Sequence, residues 1–396
     1  MLEHRFIKDF LFAFTWGVCL IGVSIGVFYI DSHDFQWNYF LQFDAVHYYK
    51  IVHLGYNHKR SAFFPLFPWI WKILGGKLAP GLIINNFIFS VSFAIINQVF
   101  YWNIMQKILF LSIPSSIFYF LPYSESIFAL GSACLIYSIT SKKDYGIVLS
   151  FLLISFSRPA FSILLPSLAI YLFFEKFSII RKIKIFGGSF ALSATALWLV
   201  NEYQYSQTKI PWGFYSSQQT FWDNHWRLPH FPLSSYGDIH IFRVDLLCFV
   251  LGMTCVFLLI SYSAKKIYQK TMTENNFMLL IYSYLAGISL LVLFTRGGSL
   301  FSLNRFMLAS FYGGIFMVYF PQILRKSYLP FILLSIFIVL NGYSHIRHIL
   351  VQLPIFIPLI LLKFYDKKWA KIFLLLLFVG FQLYFMQKFM LGEWIA

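Results

Sequence analysis

Apolar runs long enough to cross a bilayer recur from Leu11 almost to the last residue, and they leave this chain few folds to choose from. A hydrocarbon core about 30 Å thick takes about 20 apolar residues as helix, and backbone groups inside it must be hydrogen-bonded internally. The runs far exceed the ~10 alternating residues of a membrane β-strand, which excludes a barrel. Only 12% of the 396 residues are charged, whereas 59% are hydrophobic and 21% aromatic. A soluble domain carries about 25% charge. The expected fold is an all-α polytopic membrane protein.

A net charge of +16 would point to nucleic acid in a soluble protein. Here it fits basic cytoplasmic loops, which also favour anionic membrane lipids, so no nucleic-acid partner is expected. Cys19, Cys134, Cys248 and Cys255 all lie in apolar runs, with neither zinc nor disulfide spacing, and read as packing residues. The first run lacks a cleavage site of small residues and reads as a spanning helix rather than a signal peptide.

Arg5 and Lys8 precede the first span, about 10–30, and place the N-terminus in the cytoplasm. A first external loop then covers 31–80, with a short interfacial helix over about 63–75 that Pro65 and Pro68 interrupt. Spans follow at about 82–105, 108–120 and 124–139. The run 145–174 is too long for one crossing and is broken at Ser157-Arg158-Pro159, so it reads as two short ones. A span at about 185–200 leads to a second large external loop, 201–243. Further spans at about 244–264, 277–295, 306–320, 329–340, 349–362 and 372–389 complete the chain. The total is about 13 crossings with the C-terminus outside, in one transmembrane domain, 1–396.

The unusual polar groups then gather on the external side. The densest stretch is 36–68, which holds Asp44 and His47 one helical turn apart. Asp44 is the candidate acid or base, and also a candidate cap for the helix that follows it. Asp44 and His47 supply at most two ligands to a divalent cation, and no third lies nearby in sequence. Arg158, Arg296, Arg305 and Lys209 are candidate phosphate partners, because planar guanidinium forks suit two oxygens at once; headgroup snorkelling is the other reading. Tyr48, Tyr123, Glu125, Trp212, Gln218, Trp222 and His345 are candidate substrate contacts. For the Trp residues, stacking on sugar faces competes with anchoring at the membrane interface.

The block Phe43-Asp44-Ala45-Val46-His47-Tyr48, then Gly55-Tyr56, then Ala62-Phe63-Phe64-Pro65-Leu66-Phe67-Pro68 resembles the PIG-V family of GPI mannosyltransferases. Pro122-Tyr123-Ser124-Glu125, Ser157-Arg158-Pro159 and Asn304-Arg305-Phe306 match that family more loosely. Phe43 stands where the family has Trp, and Ser162 where it has Gly. The resemblance implies a GT-C glycosyltransferase fold with short helices on the external side. It implies an inverting enzyme that moves a sugar, mannose by analogy, from a polyprenyl-phosphate donor to a lipid or glycan acceptor. The donor would be of the dolichyl type in a eukaryote. Asp44 would be the catalytic residue, with His47 beside it. Basic groups such as Arg158 and Arg305 would hold the leaving phosphate. A monophosphate donor lowers the need for a metal, so no cofactor is required by this reading. The membrane would be the plasma membrane of a prokaryote or the endoplasmic reticulum of a eukaryote, with the site on the periplasmic or lumenal side. An accessory subunit is a further possible partner. The rival readings are a polysaccharide polymerase or ligase using diphosphate-linked glycans, and a lipid or solute transporter, whose internal repeats are not found here.

Overall fold

The computed structural model describes residues 2–31, 34–269, 276–342 and 346–395. These residues form helices and no β-strand. In chain order the helices are α1 (Leu2–Ile30), α2 (Asp44–Leu54), α3 (Leu66–Ile73), α4 (Leu78–Phe100), α5 (Ile104–Leu111) and α6 (Glu125–Thr140). Then come α7 (Asp144–Ser157), α8 (Phe161–Phe174), α9 (Ile179–Thr208), α10 (Gly213–Trp222), α11 (Ile239–Gln269) and α12 (Phe277–Thr295). The last are α13 (Leu303–Leu308), α14 (Phe311–Lys326), α15 (Leu329–Gly342), α16 (Ile346–Gln352), α17 (Phe356–Lys363) and α18 (Lys368–Met390). Among the described residues six helices are long and apolar enough to cross a membrane: α1, α4, α9, α11, α12 and α18. All but α12 have faces that carry exposed large apolar side chains, such as Leu11, Val18 and Val23 on α1 or Phe373 and Leu376 on α18. Such faces suit lipid rather than water, and the chain is a multi-pass helical membrane protein.

Several helix boundaries differ from those read in the sequence. The run 145–174 is indeed two helices, α7 and α8, separated at Arg158-Pro159-Ala160. The run 108–120 is not one helix. It divides into α5 and a 3-10 turn at Pro114–Tyr119, because Pro114 lacks the N–H that a continuing helix needs. The expected span from 306 is likewise split into α13 and α14, and the Ser310 hydroxyl caps the second by accepting from the Gly313 amide at 3.1 Å. α9 runs on to Thr208, well past the expected end at 200, so the second loop is shorter than 201–243 and itself holds α10. The first loop, 31–80, is largely helical, and α3 stands where the interfacial helix was expected.

The described residues divide into two compact units. The first comprises Met1–Asn103, Ser116–Asn224 and Met386–Glu393. Its helices have two distinguishable ends. At one, Arg5 near the start of α1 lies over the Tyr101 ring just beyond α4, and Asp9 accepts from the Asn97 amide. The end of α6 and the start of α7 meet at the same place, where Tyr137, Ser138 and Gly146 border one groove with Phe6 and Gln98. At the other end are α2, α3, the start of α6, the end of α7 and the end of α9. Polar side chains tie the apolar helices together, as lipid offers them no partner. Asn86 donates to the Phe14 carbonyl (3.1 Å) and Asn85 to the Tyr123 carbonyl (2.9 Å). Gly131 lets α6 and α7 approach closely, since a Cβ there would lie 2.7 Å from Ile154.

The second unit comprises Ile104–Ser115, His225–Phe385 and Trp394–Ala396. Asp245, fully buried near the start of α11, accepts from the Ser235 hydroxyl (2.5 Å) and the Asn304 amide (2.8 Å). It thereby joins α13 and the segment before α11. α14 and α15 are bent by 95° at their break. Gln382 of α18 donates to the carbonyls of Leu111 (2.6 Å) and Ile113 (3.2 Å), which satisfies the chain where α5 stops.

Candidate functional site

Asp44 occupies the first helical position of α2, and the capping position belongs to Phe43, whose side chain makes no cap bond. A carboxylate there complements the helix dipole. Phe43 has φ 51° and ψ −121°, a conformation that costs a non-glycine residue about 1–3 kcal/mol. Its ring packs against Phe389 at 5.9 Å. Strain is therefore held one residue before the candidate acid or base.

The following turn brings His47 and Tyr48 inward. His47 stacks on Phe63 (4.9 Å, 17°) and meets the Trp222 edge at 5.7 Å. Lys59 Nζ lies 5.4 Å from the Trp222 ring. Burial pushes the His47 imidazole below its ordinary value; Asp44 pulls it up, while Lys59, Lys50 and Arg60 add to the fall. A neutral imidazole one turn from a carboxylate can both donate and accept a hydrogen bond.

Tyr48 is buried and donates to the Ser124 hydroxyl at 2.9 Å. This contact joins α2 to Pro122-Tyr123-Ser124-Glu125, the second block singled out in sequence. Tyr123 is buried beside Tyr48 (6.4 Å), and its hydroxyl donates to the Gln42 carbonyl at 3.4 Å. Glu125, the first residue of α6, is fully buried and meets Arg158 Nη1 at 3.3 Å. Arg158 stands at the end of α7 with its guanidinium over Phe128 (5.4 Å) and 14% of its side chain exposed. One end of the first unit thus brings together Asp44, His47, Tyr48, Tyr123, Glu125, Arg158 and Trp222.

The loop after α2 is clamped by α9 and α10. Gln204, fully buried, donates to the carbonyls of Ser61 (3.0 Å) and Phe63 (3.1 Å). Gln207 accepts from the Tyr56 amide at 2.8 Å, and Gly55 before it has φ 72°, which favours glycine. The Tyr56 phenol donates to the Phe63 carbonyl at 2.9 Å, and burial pushes it upward, so it stays a donor. Ser217 donates to the Lys59 carbonyl (3.0 Å), and His58 bonds Ser216 (2.8 Å). Gln204 and Gln207 were not read as functional in sequence. Their signal was polar residues at helical spacing just past an apolar run.

The remaining candidates have other partners. Trp212 is exposed at the start of α10, at the opposite end of that helix from Trp222. Gln218 accepts from the Asn224 side chain at 2.5 Å. Lys209 follows α9 with its Nζ 5.8 Å from the Tyr205 ring. Arg296 and Arg305 belong to the second unit. Arg296 donates to the Phe301 carbonyl and lies over the Phe301 ring at 4.6 Å. Arg305 is buried in α13, its guanidinium 5.9 Å from the Phe306 ring. His345 lies outside the described residues. Among the described residues no three His, Cys, Asp or Glu side chains gather as metal ligands.

No family model, curated protein or solved structure matches this chain.

Proposed function

We propose that this chain is an inverting glycosyltransferase of the GT-C type, resembling the PIG-V mannosyltransferases. In this reading it moves a sugar, mannose by that resemblance, from a polyprenyl phosphate to a lipid or glycan acceptor. The observation that carries it is the convergence of three sequence blocks, Asp44–Tyr48, Tyr123–Glu125 and Arg158, at one end of a membrane helix unit. That meeting supplies a base, a hydrogen-bonding imidazole and a cation in one neighbourhood. About 13 crossings are part of the proposal, with α6, α7, α8, α14, α15 and the segments 104–119 and 346–363 counted as short ones beside the six long helices.

The proposed step is a single displacement. The Asp44 carboxylate accepts the proton of the acceptor hydroxyl as its oxygen attacks the anomeric carbon. The bond from that carbon to the phosphate oxygen breaks, and polyprenyl phosphate leaves with its electron pair. The configuration inverts. His47 orients the hydroxyl by hydrogen bonding, and Arg158 offsets charge growing on the phosphate. The opposite end of the unit carries Arg5, Lys8, Lys142, Lys143 and Lys176, so the charge rule makes it cytoplasmic and puts Asp44 on the periplasmic or lumenal side.

The test is incubation of the membrane-inserted protein with candidate polyprenyl-phosphate sugars, followed by mass analysis of lipids and glycans. Transfer should fall by at least about 100-fold in Asp44→Asn, with the protein still folded and inserted. Unchanged transfer in that variant would sink the role of Asp44. Use of diphosphate-linked donors alone would move the reading to a polymerase or ligase, and flux without chemical change to a transporter. Substitution of Arg296 and Arg305 in the same assay tests their part in donor use.

A further inference from the structure

At the end of the first unit away from Asp44, the opening turns of α7 and α9 enclose a cavity of about 370 Å³. α9 connects the two ends: from Arg181 to Gln204 it rises about 35 Å, close to the thickness of a bilayer core with part of its interface. The cavity is therefore at the opposite membrane face from the Asp44 cluster.

Its polar wall is made of Arg181, Asp144, Ser178 and Lys184. The Arg181 guanidinium is held flat and in place. Its Nε and Nη2 donate to the two Asp144 oxygens at 2.8 and 2.7 Å, and it stacks 3.8 Å from the Phe177 ring centroid. That leaves Nη1 without a hydrogen bond among the described residues. Lys184 has no hydrogen bond or ion pair among them. Ser178 caps α9, accepting from the Arg181 amide at 3.3 Å, so the helix opens toward the cavity with its positive dipole end. Asp144 and Glu175 each offset a charge near Arg181, but Lys142, Lys143, Lys176 and Lys182 lie close in sequence and keep the balance basic.

The rim is apolar. Tyr145, Val148, Ile180 and Ile185 line it, and Tyr145 and Ile180 are each exposed by more than half. A free phosphate would have no use for such a rim. A phospholipid would use both parts, with its phosphodiester on Lys184 and Arg181 and its chains along the isoleucines.

We propose that this cavity is a binding site for the headgroup of an anionic phospholipid from the leaflet at that face. The inference is independent of the chemistry proposed at Asp44. The test is native mass spectrometry of the full-length protein released from bilayers with equal phosphatidylglycerol and phosphatidylcholine. Phosphatidylglycerol should be retained in preference. Lys184→Gln should reduce that retention about five-fold, the expected effect of one basic side chain at a membrane surface. Lys184→Arg should preserve it, and Lys72→Gln, an exposed charge at the other end of the unit, should leave it unchanged. Lys184 is exposed and unpaired, so these variants keep the fold. Equal retention of the two lipids would overturn the proposal. So would equal losses in Lys184→Gln and Lys72→Gln. Displacement of the lipid by inorganic phosphate would overturn it by assigning the cavity to a free anion.

Discussion

Replacing Arg158 by Met should destabilise the protein more than replacing its partner, Glu125, by Gln. The two groups meet at 3.3 Å, with Glu125 fully buried and 14% of the Arg158 side chain exposed. At that separation two unit charges attract by about 5 kcal/mol at an effective dielectric of ~20, and removal from water opposes most of this. Losing one partner is another matter, because the remaining charge keeps its desolvation cost. Arg158→Met leaves a carboxylate with no exposed surface and should cost about 3–5 kcal/mol. Glu125→Gln leaves a guanidinium that can turn its exposed edge outward while resting on Phe128, and should cost about 1–3 kcal/mol. The double variant should lose well under the sum of the two single losses, with a coupling of about 2–3 kcal/mol. Denaturant titration in micelles, followed by circular dichroism, measures all three. If Arg158→Met falls within about 0.5 kcal/mol of the native chain, or the losses simply add, the pair does not hold α6 to α7 as described.

Two further outcomes concern the loop beside Asp44. Burial lowers the His47 value below 6.5, so the unfolded chain binds more protons than the folded one in the window just beneath 6.5. That part of stability is fully present above 6.5 and is lost as pH falls through the lowered folded value. His47→Gln should flatten the decline just beneath pH 6.5, and parallel curves for the two proteins would refute the assignment. Gly55→Ala should cost about 1–3 kcal/mol from backbone strain, and more from its Cβ, which would sit 2.6 Å from Gln207 Oε1. Adding Gln207→Ala should recover the steric part, and a Gly55→Ala protein as stable as the native one would show that the clamp does not hold.

Much of the frame was legible in the chain because it follows from local composition. Apolar runs with almost no charge must be helices in lipid, since no other structure satisfies the backbone there. The break at Ser157-Arg158-Pro159 was legible for the same kind of reason, as proline ends a helix wherever it falls. Pro114 carries the same signal within 108–120 and ends α5 there, although the run's hydrophobicity is continuous. The end of α9 was misjudged because Gln204 and Gln207 look like loop residues until their partners, the carbonyls near Ser61 and the Tyr56 amide, are known.

Sequence by itself determined the membrane class, the Asp44–His47 spacing and the polar blocks at Tyr123–Glu125 and Arg158, all of which depend on residue type and near neighbours. Only the tertiary structure decided that Glu125 and Arg158 meet, that Tyr48 reaches Ser124, and that Trp222 rather than Trp212 meets His47. Those contacts join residues 33 to 175 positions apart. Which of many possible partners a polar side chain finds is set by how the helices pack, because a group shut away from water takes whichever donor or acceptor the packing brings within reach.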